Sequence, residues 1–117
     1  MSRDHARLKV FQKADALVLA VYRRARELPH EERYALSSQI RRAAVSIPTN
    51  IVEGSARSSL REYVYFLRIA HGSANELRYL LGLVTRLGFA DFSYLESDCR
   101  EVVLMLEKLT SSLDRLE

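Results

Sequence analysis

Arg41-Arg42-Ala43-Ala44-Val45-Ser46-Ile47-Pro48-Thr49-Asn50-Ile51-Val52-Glu53-Gly54 reads as an amphipathic helix with a proline in its middle. Its apolar stripe starts upstream at Leu36 and Ile40 and runs through Ala44, Ile47 and Ile51, at helical spacing on both sides of Pro48. A proline inside a helix removes one backbone hydrogen bond and crowds the carbonyl four residues back, here that of Ala44. The cost is about 3 kcal/mol or more. A segment that keeps its periodicity across such a residue needs tertiary packing to compensate, so the spacing predicts a buried, Pro-kinked helix over about Leu36–Ala56.

The rest of the chain has the same character. Pro29 and Pro48 are its two prolines, glycine is scarce, and no alternating β-branched run occurs. A first helix is expected from Lys9 to Leu28 on Phe11, Ala14, Val18, Val21, Ala25 and Leu28, ending where Pro29 forces its predecessor out of the α region. Pro29–Tyr34 is a connector with room for one helical turn. The third helix, Leu60–Leu87, is the longest. Leu60, Tyr63, Leu67, Ala70, Ala74, Leu77, Leu81 and Val84 alternate steps of three and four, Ser59 and Glu62 fit a capping box, and Gly88 supplies a left-handed stop. The fourth starts near Asp91 or Ser93, with Ser93 and Glu96 as a second capping box. It carries Leu95, Cys99, Val102, Leu106, Leu109, Leu113 and Leu116. Four helices with short connections predict an all-α, antiparallel up-down-up-down bundle formed by residues 1–117 as one domain. Phe66, Ser73, Leu80 and Leu87 widen the stripe of the third helix on one flank, Ile69 and Leu83 lie further round, and with Val103, Leu104 and Met105 of the fourth they exceed what one stripe needs. That surplus predicts self-association into a homo-oligomer, or else a wide core stripe.

Composition narrows the function classes. With 117 residues, 48% hydrophobic and 28% charged, the chain has a globular balance. No apolar run approaches the roughly 20 residues of a membrane span. The polar Met1-Ser2-Arg3-Asp4-His5 start leads into no short apolar segment, and Cys99 has no intrachain partner. A cytoplasmic, reducing setting is expected. The net charge of +3 is unevenly spread. Residues 1–90 hold 15 Lys and Arg against 8 Asp and Glu, a net +7, whereas residues 91–117 hold 3 against 7, a net −4. A polyanion could use the basic part, or the acidic helix of one subunit could meet the basic face of another; a solvated surface of mixed sign gives the same counts.

The candidate chemistry is sparse. Arg41 and Arg42 lie about 100° apart around their helix, so both cannot face the core. With Arg57 and Arg61, near the start of the third helix, they form a candidate phosphate site for RNA or DNA, unless ion pairs and the Ser59–Glu62 cap satisfy these groups. Asn50 and Glu53 sit just past Pro48, where an amide can satisfy freed backbone groups. With Asn75 and Glu76 they form a candidate structural polar network, and Glu53 also precedes Arg57 by the four residues of a helical ion pair. Arg23, Arg24 and Arg26 suit the dipole at the end of the first helix. Tyr63, Tyr65 and Tyr79 are candidates for base stacking or for packing. His5, His30 and His71 lie on separate segments. No metal ligand set, cofactor loop, small-molecule substrate site or catalytic constellation is visible, which predicts a protein that is not an enzyme.

The opening stretch, taken with Leu8-Lys9-Val10-Phe11-Gln12-Lys13-Ala14, Glu32–Ile40, Tyr63, Phe66–Ala70, Gly72–Leu77 and Leu87-Gly88, resembles the core pattern of the bacterial 23S rRNA intervening-sequence proteins. That family is named for members encoded in insertions within 23S rRNA genes, and some members carry a ribosomal-protein label. It is similar in fold to the accessory protein of diversity-generating retroelements, a pentameric bundle that works with a reverse transcriptase and nucleic acid. The resemblance covers nearly the whole chain; it departs at Val52, where alanine is more usual, and at His71. It implies a four-helix bundle, a homopentamer, an RNA or DNA partner and no catalytic activity. A protein–protein adaptor or assembly scaffold without a nucleic-acid role is the alternative.

Overall fold

Local chemistry sets where each helix begins and ends. The computed structural model describes residues 3–116, so Met1 and Ser2, the first residues of the polar start, lie outside it, as does Glu117. Four helices, α1 (Lys9–Arg24), α2 (Leu36–Ser55), α3 (Leu60–Arg86) and α4 (Ser93–Asp114), occupy the described residues, with no strand among them. At α3, Ser59 Oγ accepts from the Glu62 amide at 3.1 Å and donates to the Glu62 carboxylate, a hydroxyl-to-carboxylate variant of the capping box. At its far end Gly88 takes φ +75, and Phe89 N–H closes back on Val84 O at 3.2 Å.

Two helix ends differ from expectation. The first helix ends as a regular α-helix at Arg24 rather than Leu28. It tightens into a 3₁₀ turn at Ala25–Glu27, in which residues three apart stack. That stacking lets the Arg24 guanidinium hold the Glu27 carboxylate at 2.7 and 2.9 Å. Leu28 is extended ahead of Pro29, and a second 3₁₀ turn follows at His30–Glu32. At α4 the N-cap position falls on Phe92, which offers no side-chain cap, and Ser93 is the first helical residue; Asp91, one residue before the cap, accepts from the Ser93 amide at 3.0 Å and from its hydroxyl at 2.6 Å. These two bonds hold the Asp91 carboxyl below the usual carboxylate range.

Each helix packs antiparallel to its neighbours around one core. Gly54 meets Phe66 and Ser46 meets Ser73 between α2 and α3; Cys99 meets Ala74 and Glu107 meets His71 between α3 and α4. Lys13 meets Glu101, and Arg24 meets Asp91, between α1 and the α4 end. Arg41 lies over Tyr22, and Ser55 meets His5, along the α1–α2 side. The result is an up-down-up-down arrangement of 46 × 20 × 19 Å. The buried faces of α2 and α3 are those the spacing predicts. In α1 the face is rotated: Val10, Ala14, Leu17 and Val21 are buried, while Phe11 and Val18 are half-buried, Phe11 turning edge-on to His5 at 4.8 Å. Leu80 and Val103 join the core, whereas Leu104 is half exposed.

α2 passes through Pro48 as one continuous helix and extends to Ser55. Thr49 Oγ1 donates to Val45 O at 2.7 Å and the Asn50 amide to Ser46 O at 2.8 Å, so side chains supply extra donors to the turn preceding the proline. Near its end, a Cβ on Gly54 would stand 2.8 Å from Phe66 Cβ and 3.3 Å from Tyr63 O, which only a hydrogen avoids. Gly72, on the outer side of α3, has nothing within 4 Å of its missing Cβ. Two alanine substitutions of equal helix propensity should therefore act with opposite sign. In urea denaturation Gly54→Ala is expected to lose about 1–3 kcal/mol by overpacking, and Gly72→Ala to gain up to about 1 kcal/mol from propensity alone.

Candidate nucleic-acid interface

The four arginines singled out by sequence fall into two groups at opposite ends of α2. From Arg41 to Ser55 the helix rises about 21 Å, so Arg41 and Arg42 cannot share one phosphate with Arg57 and Arg61. Arg57 is committed. It holds the Glu53 carboxylate at 3.0 Å, stacks over Phe66 at 4.8 Å, and its backbone carbonyl accepts from Arg3 at 3.0 Å. Arg61 and Arg42 are exposed, Arg42 reaching only the Ser38 hydroxyl at 3.5 Å. Arg41 is half-buried; its Nε donates to Ser37 O at 3.3 Å, which leaves the outer face of the fork turned toward Tyr22.

That turn of Arg41 exposes a site the sequence reading passed over. A cavity of about 370 Å³ opens between the end of α1 and the start of α2. Tyr22 and Arg26 come from the α1 side, His30 and Arg33 from the connector, and Ser37 and Arg41 from the first turns of α2, over an apolar floor of Ala25, Leu28 and Pro29. None of its lining residues is acidic. Among the described residues Arg26, Arg33 and Arg41 make no ion pair, whereas Arg7, Arg24, Arg57 and Arg68 each have a carboxylate. α2 starts here on Ala35, which offers no side-chain cap to its first N–H groups. Sequence signals for this site existed in the basic residues on both sides of Pro29. Reading 29–34 as a mere connector hid them.

The predicted polar network divides into three. Asn50 joins Ser46, which shares a 2.7 Å hydrogen bond with Ser73 across the α2–α3 seam. Glu53 pairs with Arg57. Asn75 bonds the His71 carbonyl at 3.3 Å on its own helix, and Glu76 is exposed. Helix geometry explains the separation: Asn75 lies on the α4 side of α3, Ser73 on the α2 side. Ser46 and Ser73, not Asn75 and Glu76, are the partners within reach of Asn50.

The acidic fourth helix is largely used within the chain. Glu101 holds Lys13 of α1 at 2.5 Å, Glu107 meets His71 at 3.2 Å, and Asp114 pairs with Arg68. The Glu101 bond raises the Lys13 pKa. Of the tyrosines considered for base stacking, Tyr63 is buried under Arg3, whose guanidinium lies 4.3 Å from the ring, while Tyr65 and Tyr79 are exposed. Among the described residues no helix is long and apolar enough to cross a membrane, and no group of His, Cys, Asp and Glu is placed to hold a metal ion.

Comparison with known proteins gives a consistent result. The family model described as 23S rRNA-intervening sequence protein matches residues 6–108. A crystal structure of a protein of unknown function from the S23 ribosomal protein family of Bacteroides thetaiotaomicron is similar at a TM-score of 0.80. It shares 26% identity, and the match covers 86% of this chain and 97% of that one. No curated protein matches.

Neither description names an enzyme. The chain's lone thiol can be probed for nucleophile chemistry directly. Cys99 is fully buried, donates to Ala74 O at 3.2 Å, and burial pushes its pKa up to about 12. At pH 8 the folded protein should therefore react with a thiol reagent orders of magnitude more slowly than the urea-unfolded chain. Equal labelling rates in the two states would contradict the burial.

Proposed function

Because the chain belongs to the 23S rRNA-intervening sequence protein family, we propose that it is a non-catalytic protein that binds structured RNA through the basic end of its helices. The observation that carries this reading is the convergence of Arg26, Arg33 and Arg41 on one concave site without carboxylate partners. Charge left uncompensated by the protein is available to phosphate, and guanidinium forks suit phosphate oxygens. Arg42, exposed one residue on from Arg41, extends that surface. Arg61, at the other end of α2, offers a second contact, while Arg57 serves the corner it stabilises. This reading goes with a cytoplasmic setting. Binding should weaken steeply with salt: four neutralised phosphates on duplex RNA give a log–log slope of about −3 to −4. Arg41→Glu with Arg42→Glu should cut that slope by about two and abolish binding at 150 mM salt. Gel-shift titrations with rRNA-derived fragments at several salt concentrations measure both. No shift even at low salt removes the reading.

A specific surface favours assembly of the same chain. Val45, Thr49 and Val52 are exposed at one helical spacing along α2, and Tyr65, Ile69 and Gly72 are exposed at the same spacing along α3. Covering one such strip by another copy gives a homo-oligomer, a pentamer by the family resemblance. The adaptor alternative would use the same strip for a different protein. Light scattering after size exclusion should give a mass of about five chains for the native sequence. Val52→Asp with Ile69→Asp should return a monomer with unchanged helical circular dichroism. A native monomer at tens of micromolar would favour the adaptor.

A further inference from the structure

The geometry points to the α1–α2 cavity as a site for a terminal phosphate monoester on a nucleotide, with the phosphate held by Arg26, Arg33 and Arg41 and the base against Tyr22. Four features of the molecule meet here. Three arginines from three different segments line one volume of about 370 Å³, the Arg33 guanidinium lying 5.7 Å from the exposed Tyr34 ring. A surface that tracks a nucleic-acid backbone distributes its cations along the strand. Convergence of several on one spot suits a group that concentrates two negative charges, as a monoester does and a diester does not. The volume lies toward the small end of ligand sites of about 300–1,000 Å³, enough for a nucleotide and too small for a folded segment.

The lining divides as such a ligand requires. Ser37 and His30 add hydrogen-bonding groups beside the arginines, and the first N–H groups of α2, uncapped by any side chain, begin at the same place. Glu31 and Glu32 share the 3₁₀ turn with His30, yet neither lines the cavity. On the other side the Tyr22 ring is about half exposed, with the Arg41 guanidinium 5.9 Å from its centre. The half-exposed ring gives an aromatic base a surface to pack on, beside the apolar Ala25, Leu28 and Pro29. Arg41 is held in position by its bond to Ser37 O, so part of the ordering cost is met before the ligand arrives.

The ligand has two sources, a free nucleoside monophosphate or the 5′ end of an RNA strand. The second deepens the RNA-binding reading and rests on it. Both are tested with a 3′-labelled RNA oligonucleotide carrying either a 5′-phosphate or a 5′-hydroxyl, in anisotropy titrations at fixed salt, together with AMP and adenosine observed by amide chemical shifts. The expected result is binding at least about tenfold tighter for the phosphorylated strand, the scale of one charged hydrogen bond. AMP, and not adenosine, should compete and shift the amides around Tyr22, His30 and Ser37. Arg41→Ala should remove the difference. Arg33→Glu, at an exposed position, should do the same without touching the packed helices. Equal affinity for both strands, with no AMP effect, overturns the inference and leaves RNA binding standing. AMP binding without RNA binding overturns the RNA reading and keeps the cavity as a mononucleotide site. Binding of neither overturns both.

Discussion

The close approach of α2 to α3 at Gly54 is the constraint on which the other features rest. With no Cβ at that position, the α2 backbone comes within contact distance of Phe66 and of the Tyr63 carbonyl. That contact fixes the register of the two longest buried faces. It brings Ser46 level with Ser73, where their hydroxyls share a hydrogen bond, and sets Arg57 over the Phe66 ring. It also explains why a helix can carry Pro48. The lost backbone bond weakens α2 by about 3 kcal/mol as an isolated helix, but Ile47 and Ile51, on either side of the proline, are fully buried. Burying two such side chains contributes on the order of 3–6 kcal/mol, so packing outweighs the break.

Periodicity made the helices legible wherever one face is buried along its whole length. Tyr63, Leu67, Ala70, Ala74, Leu77, Leu81 and Val84 are all core residues of α3, and Gly88 takes the left-handed conformation its position implied. Legibility failed where side chains compete for backbone groups. Asp91 and Ser93 both have good cap side chains, yet the cap position falls on Phe92, while Asp91 is tied from outside by Arg24 bonded to its carbonyl and holds the Ser93 amide with its carboxylate. Phe92, the fully buried residue between them, donates its amide to Thr85. None of these partners is near in sequence. The rotated face of α1 has the same origin: Phe11 is large enough to mark a stripe, yet His5, from the preceding turn, takes it edge-on at the rim.

Charge behaved differently from composition. The acidic excess of residues 91–117 suggested a docking surface, but Glu101, Glu107 and Asp114 are spaced to meet Lys13, His71 and Arg68 on the two neighbouring helices. Exposed pairs of this kind contribute little stability, about 0–1 kcal/mol each. Their larger effect is on the field, since Glu101 offsets Lys13 on α1 and Asp114 offsets Arg68 on α3. Among the described residues arginines without a carboxylate remain along α3 and α4 as well, at Arg61, Arg78, Arg86 and Arg100, but Arg26, Arg33 and Arg41 gather around one hollow where α1 meets α2. A residue count can register the excess of +7 but not where pairing cancels it.

That end of the molecule shapes its hollow from irregular backbone. Hollows also lie between straight helices, beside Arg78 and Glu96 on the α3–α4 flank and beside Val10 and Met105 on the α1–α4 flank, but the one at the α1–α2 end depends on a change of winding. Here α1 abandons its regular winding four residues before Pro29, because the Arg24–Glu27 pair favours the tighter 3₁₀ turn in which residues three apart align. The chain then runs extended through Leu28 and winds once more at His30–Glu32 before α2 begins. An unbroken helix to Leu28 would continue the wall of the bundle. The two short turns instead carry Arg26, His30 and Arg33 around a hollow that Arg41 and Ser37 close from the α2 side. The same arginine pair that led the opening stretch of sequence is thus divided by helix geometry into Arg42, facing solvent, and Arg41, facing the cavity.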